Sequence, residues 1–470
     1  MPLASLLPLA LLALVPIATI PRDEKDEKRA NELFAKAEFA LEKERYEDAV
    51  KTFRLIATKY PDTPAGREAK RRARPTTFLG AKWIVEAGPP DNRVDVALMG
   101  DGYTLGHQKG FNKVADDVPA IFERQRTFRE YFSYFNFLRY NLVSKDDNVD
   151  GFGREEDTAL DGHVMGTVQG HVAVDPEAVK RALANVPEND GLAIVFVRAG
   201  SLGTGSPGIA TIGGRDASTI IHEWGHAFGG LGDEYATYTH ERGELRSSPN
   251  VSAESDPEKV PWAPWIRARA KGVGVYEGAA GRERGAYKPT ASGCVMLNGE
   301  FFCPPCREAL LLAIYRLVDP IEWESSPPHP LDHTVSLELT DSLEFEVHVM
   351  RPRSHTIDTR WWVLPEGEAP RDPTGYDQRY AIQGRFSGDR RERGALRPID
   401  AKPAQEIKHR KNGKHTFRLR ASDLEPGRYR VICRARDSTK LPGEKLPWVL
   451  TDPYGLLESE RAWWVTVPER

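Results

Sequence analysis

After its first twenty residues the chain has no apolar run long enough to cross a bilayer, so a membrane-spanning helix is expected, if anywhere, at the extreme N-terminus. It also lacks a charge excess of either sign. The 65 Lys and Arg nearly balance the 69 Asp and Glu, leaving a formal charge of −4 over 470 residues. That balance argues against nucleic acid as a partner and gives no steering toward an acidic substrate. Cysteine is scarce, at four residues. Cys303-Pro304-Pro305-Cys306 has no second CxxC to complete a zinc ribbon, and no thioredoxin-like βαβ surroundings to make it a redox pair. The remaining composition, 40% hydrophobic and 29% charged, is that of an ordinary globular protein with room for two or three domains.

Met1 to Ile20 carries no charged side chain, residues 3–15 form an apolar core, and small residues follow Val15. Residues 1–21 therefore read as a secretory signal peptide, lacking only the usual Lys or Arg at its start. The alternative is an uncleaved N-terminal anchor. Either way the rest is expected to be exported: secreted, periplasmic or associated with the cell envelope. In an oxidising compartment a structural disulfide is expected between Cys294 and Cys303 or Cys306, with Cys433 far from all three.

The most informative run is Ile220-Ile221-His222-Glu223-Trp224-Gly225-His226, followed by Gly229, Gly230, Gly232, Asp233, Glu234 and Tyr235. On a helix, residues four apart stand one above the other, separated by about 6 Å along the axis. His222 and His226 can then turn both imidazoles to one ion. Glu223 lies about 60° round the helix from His226 and about 100° from His222. It sits beside the ligand face, where a carboxylate can hold a metal-bound water without taking a coordination position. Zn²⁺ with three protein ligands lowers the pKa of such a water to about 7.

Two histidines need a third ligand. On an unbroken helix Asp233 would lie about 10 Å beyond His226, out of reach of the metal. The glycines allow the helix to end and the chain to turn back. Asp233 and Glu234 are the candidates. Asp233 is favoured, because a short carboxylate just after a tight turn has fewer ways to miss. The other carboxylate would make a hydrogen bond to a ligand histidine.

Residues 222–235 match, position for position, the pattern HExGHxFGGLxDEY, and the chain resembles the bacterial IgA metallopeptidase family of metzincin-like zinc endopeptidases. The similarity extends to residues 94–104 upstream, and downstream to Cys294-Val295-Met296 and to residues 302–308. The resemblance implies a zinc-peptidase domain over about residues 80–325. Its ligands would be His222, His226 and Asp233, its general base Glu223, and Met296 would form an apolar floor beneath the metal. It does not imply that immunoglobulin is the substrate.

Elsewhere, residues 26–74 show helical spacing of apolar positions broken near Arg45-Tyr46 and at Tyr60-Pro61. The segment is similar to a tetratricopeptide-like helical hairpin. One repeat cannot bury its own apolar face, so it is expected to dock on the catalytic domain or on an envelope protein partner. A spacer or removable pro-segment is the alternative. Residues 80–325 alternate strand and helix: a strand at 94–99, a helix over 111–132, a strand at 137–144, a helix at 176–185 and a strand at 192–197. Residues 208–212 form either an exposed edge strand able to pair with a peptide or an ordinary inner strand. The aromatics at 262, 265, 276 and 287 either line substrate pockets or pack their long loop down. Residues 327–470 alternate in short strands and read as an immunoglobulin-like β-sandwich, with solvated basic loops at 390–397 and 402–414.

The expected fold is thus an α/β (α+β) metzincin-like zinc-peptidase domain between a helical hairpin and a β-sandwich. The expected function is an exported zinc metalloendopeptidase with one catalytic Zn²⁺ and a protein or peptide substrate. The alternative is a non-catalytic envelope binding protein with a structural or vestigial zinc site.

Overall fold

A computed structural model of the chain describes residues 24–469, apart from 152, 166–169, 201, 237–243, 246, 330–334, 371–395, 397 and 409–411. The expected signal peptide or anchor lies outside the described residues, as does most of the basic stretch at 390–397. The chain divides into two compact units, residues 1–74 and 75–470. No helix among the described residues is long and apolar enough to cross a membrane.

The first unit contains three helices, α1 (Glu24–Glu42), α2 (Tyr46–Lys59) and α3 (Pro64–Arg72). Ala30, Ala37 and Ala40 of α1 meet Ala49, Phe53 and Ile56 of α2 and Ala65 and Ala69 of α3 in one small core. Thr63 starts α3, its Oγ1 accepting the Gly66 N–H at 2.9 Å.

In the second unit the order is β1 (Thr77–Val85), β2 (Val94–Asp101), α4 (Gln108–Asp116), α5 (Val118–Arg124), α6 (Arg126–Glu130), β3 (Phe135–Val143), β4 (His163–Met165), β5 (His171–Ala173) and α7 (Pro176–Leu183). Then come β6 (Leu192–Val197), β7 (Thr204–Ser206), β8 (Ile209–Ile212) and α8 (Ala217–Gly229). The main sheet runs β1-β3-β2-β6-β8-β7. Its middle strands are parallel, and both edge strands are antiparallel to their neighbours. Alternation along β2 explains the layers. Val94, Val96 and Leu98 join one core with residues of α4, α5 and α8. Ala97 and Met99 join another with Ala178, Val179, Ala182 and Leu183 of α7.

One sequence expectation changes here, and one open alternative is decided. The helix expected over 111–132 is three short ones, because Pro119 opens α5 and Gln125 adopts an extended conformation and caps α6. Residues 209–212 form an inner strand, and the edge is β7, which precedes it and folds back antiparallel.

Beyond α8 the long polar segment contains α9 (Ala263–Arg267), β9 (Tyr276–Ala279) and β10 (Arg282–Lys288), followed by α10 (Pro304–Leu317). Trp262 and Trp265 are buried together in a local cluster against which Tyr287 packs, and Tyr276 is partly exposed. The last strands are β11 (Ile321–Ser326), β12 (Ser336–Glu338), β13 (Ser342–Val349), β14 (Asp358–Pro365), β15 (Gln405–Ile407), β16 (Lys414–Arg420), β17 (Gly427–Arg436) and β18 (Glu458–Val467). They form a three-stranded sheet, β11-β13-β16, and a five-stranded one, β12-β18-β17-β14-β15. The two pack face to face, with Phe345 on Trp463 (5.1 Å between centroids) and Phe417 stacked on Trp361 (5.3 Å). Their core is continuous with that under α8 and α10.

A buried ionic network crosses this junction. His355 Nδ1 donates to Glu130 Oε1 and its Nε2 to Asp437 Oδ1, both at 2.8 Å, while Tyr131 donates to Asp437 Oδ2 at 2.9 Å. With both ring nitrogens donating, His355 is an imidazolium. Burial opposes that charge, but the hydrogen bonds to Asp437 and Glu130 outweigh it and raise the pKa to about 9. The folded state therefore binds this proton more tightly than the unfolded chain, whose histidine titrates near 6.5. The stabilisation is complete below about pH 6.5 and is lost as pH rises through about 9. Urea unfolding of His355→Ala at pH 6.5 is expected to show a loss of about 3–5 kcal/mol, because two buried carboxylates lose their cation. The deficit relative to wild type is expected to shrink toward pH 9.

Candidate active site

Helix α8 is sharply bounded. Asp216 caps its start, Oδ2 accepting the Thr219 N–H at 3.0 Å. Gly230 ends it at φ 62°, a left-handed conformation natural to glycine. Gly230 N then donates to the His226 carbonyl and Leu231 N to that of Gly225. Leu231 is buried against the helix, and the chain has reversed within two residues.

The reversal brings Asp233 back to the histidines. His222 Nε2 and His226 Nε2 are 3.1 Å apart, and Asp233 Oδ1 lies 3.0 Å from the first and 3.1 Å from the second. Both imidazoles are anchored from behind. His222 Nδ1 donates to the Val295 carbonyl at 3.0 Å and His226 Nδ1 to the Leu231 carbonyl at 2.6 Å. A carbonyl can only accept, so each Nδ1 carries a proton, and each ring in its neutral form presents a bare Nε2. Two nitrogen lone pairs and a carboxylate oxygen then face one space, an arrangement that repels itself without a cation and suits Zn–N and Zn–O bonds of about 2.0–2.2 Å. Burial disfavours charging the two imidazoles, yet Asp233 raises both pKa values. Burial likewise opposes ionisation of Asp233, and the two imidazoles still hold it well below the usual carboxylate range.

Glu223 is 8% exposed and borders the same cavity. Burial raises its pKa above 4.5, and the two imidazoles pull it back. Glu234, the other candidate third ligand, points away. It is fully buried, with Oε1 at 3.1 Å from Cys306 Sγ and accepting from Asn250 Nδ2 at 3.0 Å. The disulfide expected at Cys294 is absent: all four cysteines are free, and Cys294 Sγ and Cys306 Sγ are 3.7 Å apart, against about 2.05 Å for a bond. Two groups could hold a metal among the described residues, His222 with His226 and Asp233, and Glu234 with Cys294, Cys303 and Cys306.

Several contributors escaped the sequence reading. Gly203 and Gly205 let β7 lie directly on α8; a Cβ on Gly203 would come within 2.7 Å of Glu223 Cγ, and one on Gly205 within 2.3 Å of His226 Cβ. Gly225 leaves room for buried Met296, whose Sδ would lie 2.7 Å from an added Cβ. Asn250 fixes the returning turn, accepting from Gly232 N and donating to its carbonyl, both at 2.8 Å. Only the glycines had a visible signal, clustering just before β8. The cavity over the histidines measures about 1110 Å³ and is bordered by residues 202–205, Tyr235, Arg282 and residues 297–301. The aromatics at 262, 265, 276 and 287 do not line it.

Residues 83–271 match the family described as IgA Peptidase M64. No curated protein matches the chain. The resemblance to IgA metallopeptidases holds over that span, which runs from β1 through α8 to just past α9 and includes every residue of the histidine–aspartate group. Over these residues the chain is similar to that peptidase family.

The close approach of β7 to α8 has a measurable consequence. Gly205→Ala forces the added methyl into His226 Cβ and the Glu223 carbonyl, and a loss of about 1–3 kcal/mol is expected by urea denaturation. Gly214→Ala, where a Cβ meets nothing within 4 Å, is expected to leave stability near wild type.

Proposed function

We infer that the protein is an exported zinc-dependent endopeptidase. The observation that carries this reading is the triangle of His222 Nε2, His226 Nε2 and Asp233 Oδ1, each pair 3.0–3.1 Å apart, with Glu223 beside it at the floor of an open cleft. Zinc bound there would act as a Lewis acid toward the peptide carbonyl and lower the pKa of a coordinated water to about 7.

The protein's own groups supply the rest. The Val295 and Leu231 carbonyls hold the two rings in the tautomer that offers Nε2. Glu223 accepts the water's proton as the oxygen attacks the carbonyl carbon and delivers it to the departing amine. Its burial raises its pKa above that of a solvated carboxylate, which favours holding the proton until the amine departs. β7, the antiparallel edge along the cleft, would align an extended polypeptide beside its own backbone. Leu202 and Phe301, both about half exposed at the cavity border, suit an apolar side chain.

In this reading the sheet and helices of residues 80–325 are a metzincin-like domain, and Met296 beneath Gly225 is its methionine floor. The first 21 residues direct export, residues 26–74 are a tetratricopeptide-like element, and the C-terminal sheets are an immunoglobulin-like module. No observation favours a purely binding role.

The experiment compares zinc content and cleavage of an unfolded protein for wild type, Glu223→Gln and Asp233→Ala. Glu223→Gln is expected to keep its zinc and lose at least about a hundredfold in kcat. Asp233→Ala is expected to lose zinc and activity together. Equal cleavage by wild type and Glu223→Gln would overturn the mechanism.

A further inference from the structure

Behind the histidines lies a second closed group. Glu234, Cys294, Cys303 and Cys306 are all buried, and one ligand-type atom from each lies within 4.8 Å of the others. Cys294 Sγ and Cys306 Sγ are 3.7 Å apart. Glu234 Oε1 is 3.1 Å from Cys306 Sγ and 3.6 Å from Cys303 Sγ. Zn–S bonds of about 2.3 Å in a tetrahedron give S···S edges of about 3.8 Å, and a Zn–O bond of about 2.0 Å gives S···O edges of about 3.5 Å. The Cys294–Cys306 and Glu234–Cys303 separations fall close to those edges, and the Glu234–Cys306 one is shorter.

The surroundings fit a cation. Glu234 Oε1 accepts from Asn250 and Oε2 from Thr290 Oγ1 at 3.3 Å, while the Lys288 ammonium is engaged by the Glu234 main-chain carbonyl instead. A carboxyl group buried among three thiols is pushed toward its protonated form by burial, and a metal cation placed among the four would let it ionise. The Cys303 N–H donates to Cys294 Sγ at 3.5 Å, the kind of hydrogen bond that steadies a thiolate. Cys303 is the residue before α10 and Cys306 lies in its first turn, so the ligands come from three separate places in the chain.

We propose that Glu234, Cys294, Cys303 and Cys306 bind a second Zn²⁺, a structural ion distinct from that of the cleft. Three sulfur ligands select a soft or borderline metal over Ca²⁺ or Mg²⁺, and four buried protein ligands leave no position for water or substrate. Three S–H protons pass to solvent as three Zn–S bonds form, with Glu234 ionised as the fourth ligand.

The ion would brace the cleft through two short spans of chain. Glu234 follows Asp233 directly. Cys294 precedes Val295, whose carbonyl holds His222, and Met296, whose carbonyl accepts the Glu234 N–H at 2.7 Å. Both the returning carboxylate and the floor of the histidine site would thus hang from one ion.

The test uses the full chain purified with zinc present. Elemental analysis is expected to give two zinc per chain for wild type and for Glu223→Gln, and one for a Cys303→Ser/Cys306→Ser variant. Zinc-edge X-ray absorption of wild type is expected to show a sulfur shell at about 2.3 Å beside the nitrogen and oxygen shell. In a His222→Ala/His226→Ala variant the sulfur shell is expected to dominate. A wild-type spectrum without sulfur, iron in place of zinc, or two zinc retained by the cysteine variant would each overturn the proposal. A cysteine variant that fails to fold leaves the wild-type spectrum to decide. Because that spectrum does not depend on activity, failure of the peptidase reading would leave the sulfur shell in place.

Discussion

Main-chain carbonyls at Val295 and Leu231 accept the Nδ1 protons of His222 and His226, so the neutral rings turn two Nε2 lone pairs toward the Asp233 oxygen. Three electron-rich atoms about 3 Å apart in a partly buried site draw a positive charge among them, a proton when no metal is bound and a divalent cation when one is. Much of the neighbouring structure can be read as what this requirement demands. Leu231 reaches His226 only because Gly230 reverses the chain, and Val295 reaches His222 only because the segment before α10 runs beneath α8. Asn250 then grips the reversing turn through both main-chain groups of Gly232.

Close packing of backbone on backbone is the second theme. β7 runs against α8 at Gly203 and Gly205, and Met296 fits under Gly225, so the site's geometry depends on the absence of three side chains as much as on the presence of four. The parallel centre of the sheet supplies a rigid base, with β8 leading straight into the capped start of α8. At the far side, His355 between Glu130 and Asp437 ties the helices beside the cleft to the C-terminal sheets. The domain that holds the cleft and the C-terminal strands thereby share one core instead of meeting through a linker.

How far the sequence revealed this follows from the range of each interaction. The histidine spacing is decided within one helical turn, and the glycine stop within two residues, so both were readable. Strands β2, β6, β13, β17 and β18 were readable because their burial alternates or is continuous over several residues. Whether residues 209–212 were inner or edge depended on β7, three residues long and glycine-containing, with no periodicity to detect. The break of the 111–132 helix turned on Pro119 and on Gln125 acting as a cap, a local choice masked by strong amphipathic spacing. The cysteines were misjudged because compartment suggested a disulfide, whereas the fold brings a carboxylate from sixty residues upstream into their midst. Asn250 lies in a polar stretch where nothing marks one side chain above another.

The central claim is that a divalent cation belongs between the two imidazoles and Asp233. Anomalous scattering at the zinc edge from crystals of the full chain tests it most directly. The account predicts a peak about 2.0–2.2 Å from His222 Nε2, His226 Nε2 and Asp233 Oδ1 alike, with both Nδ1 atoms still on their carbonyls. An empty position there, in protein prepared with zinc, would contradict it.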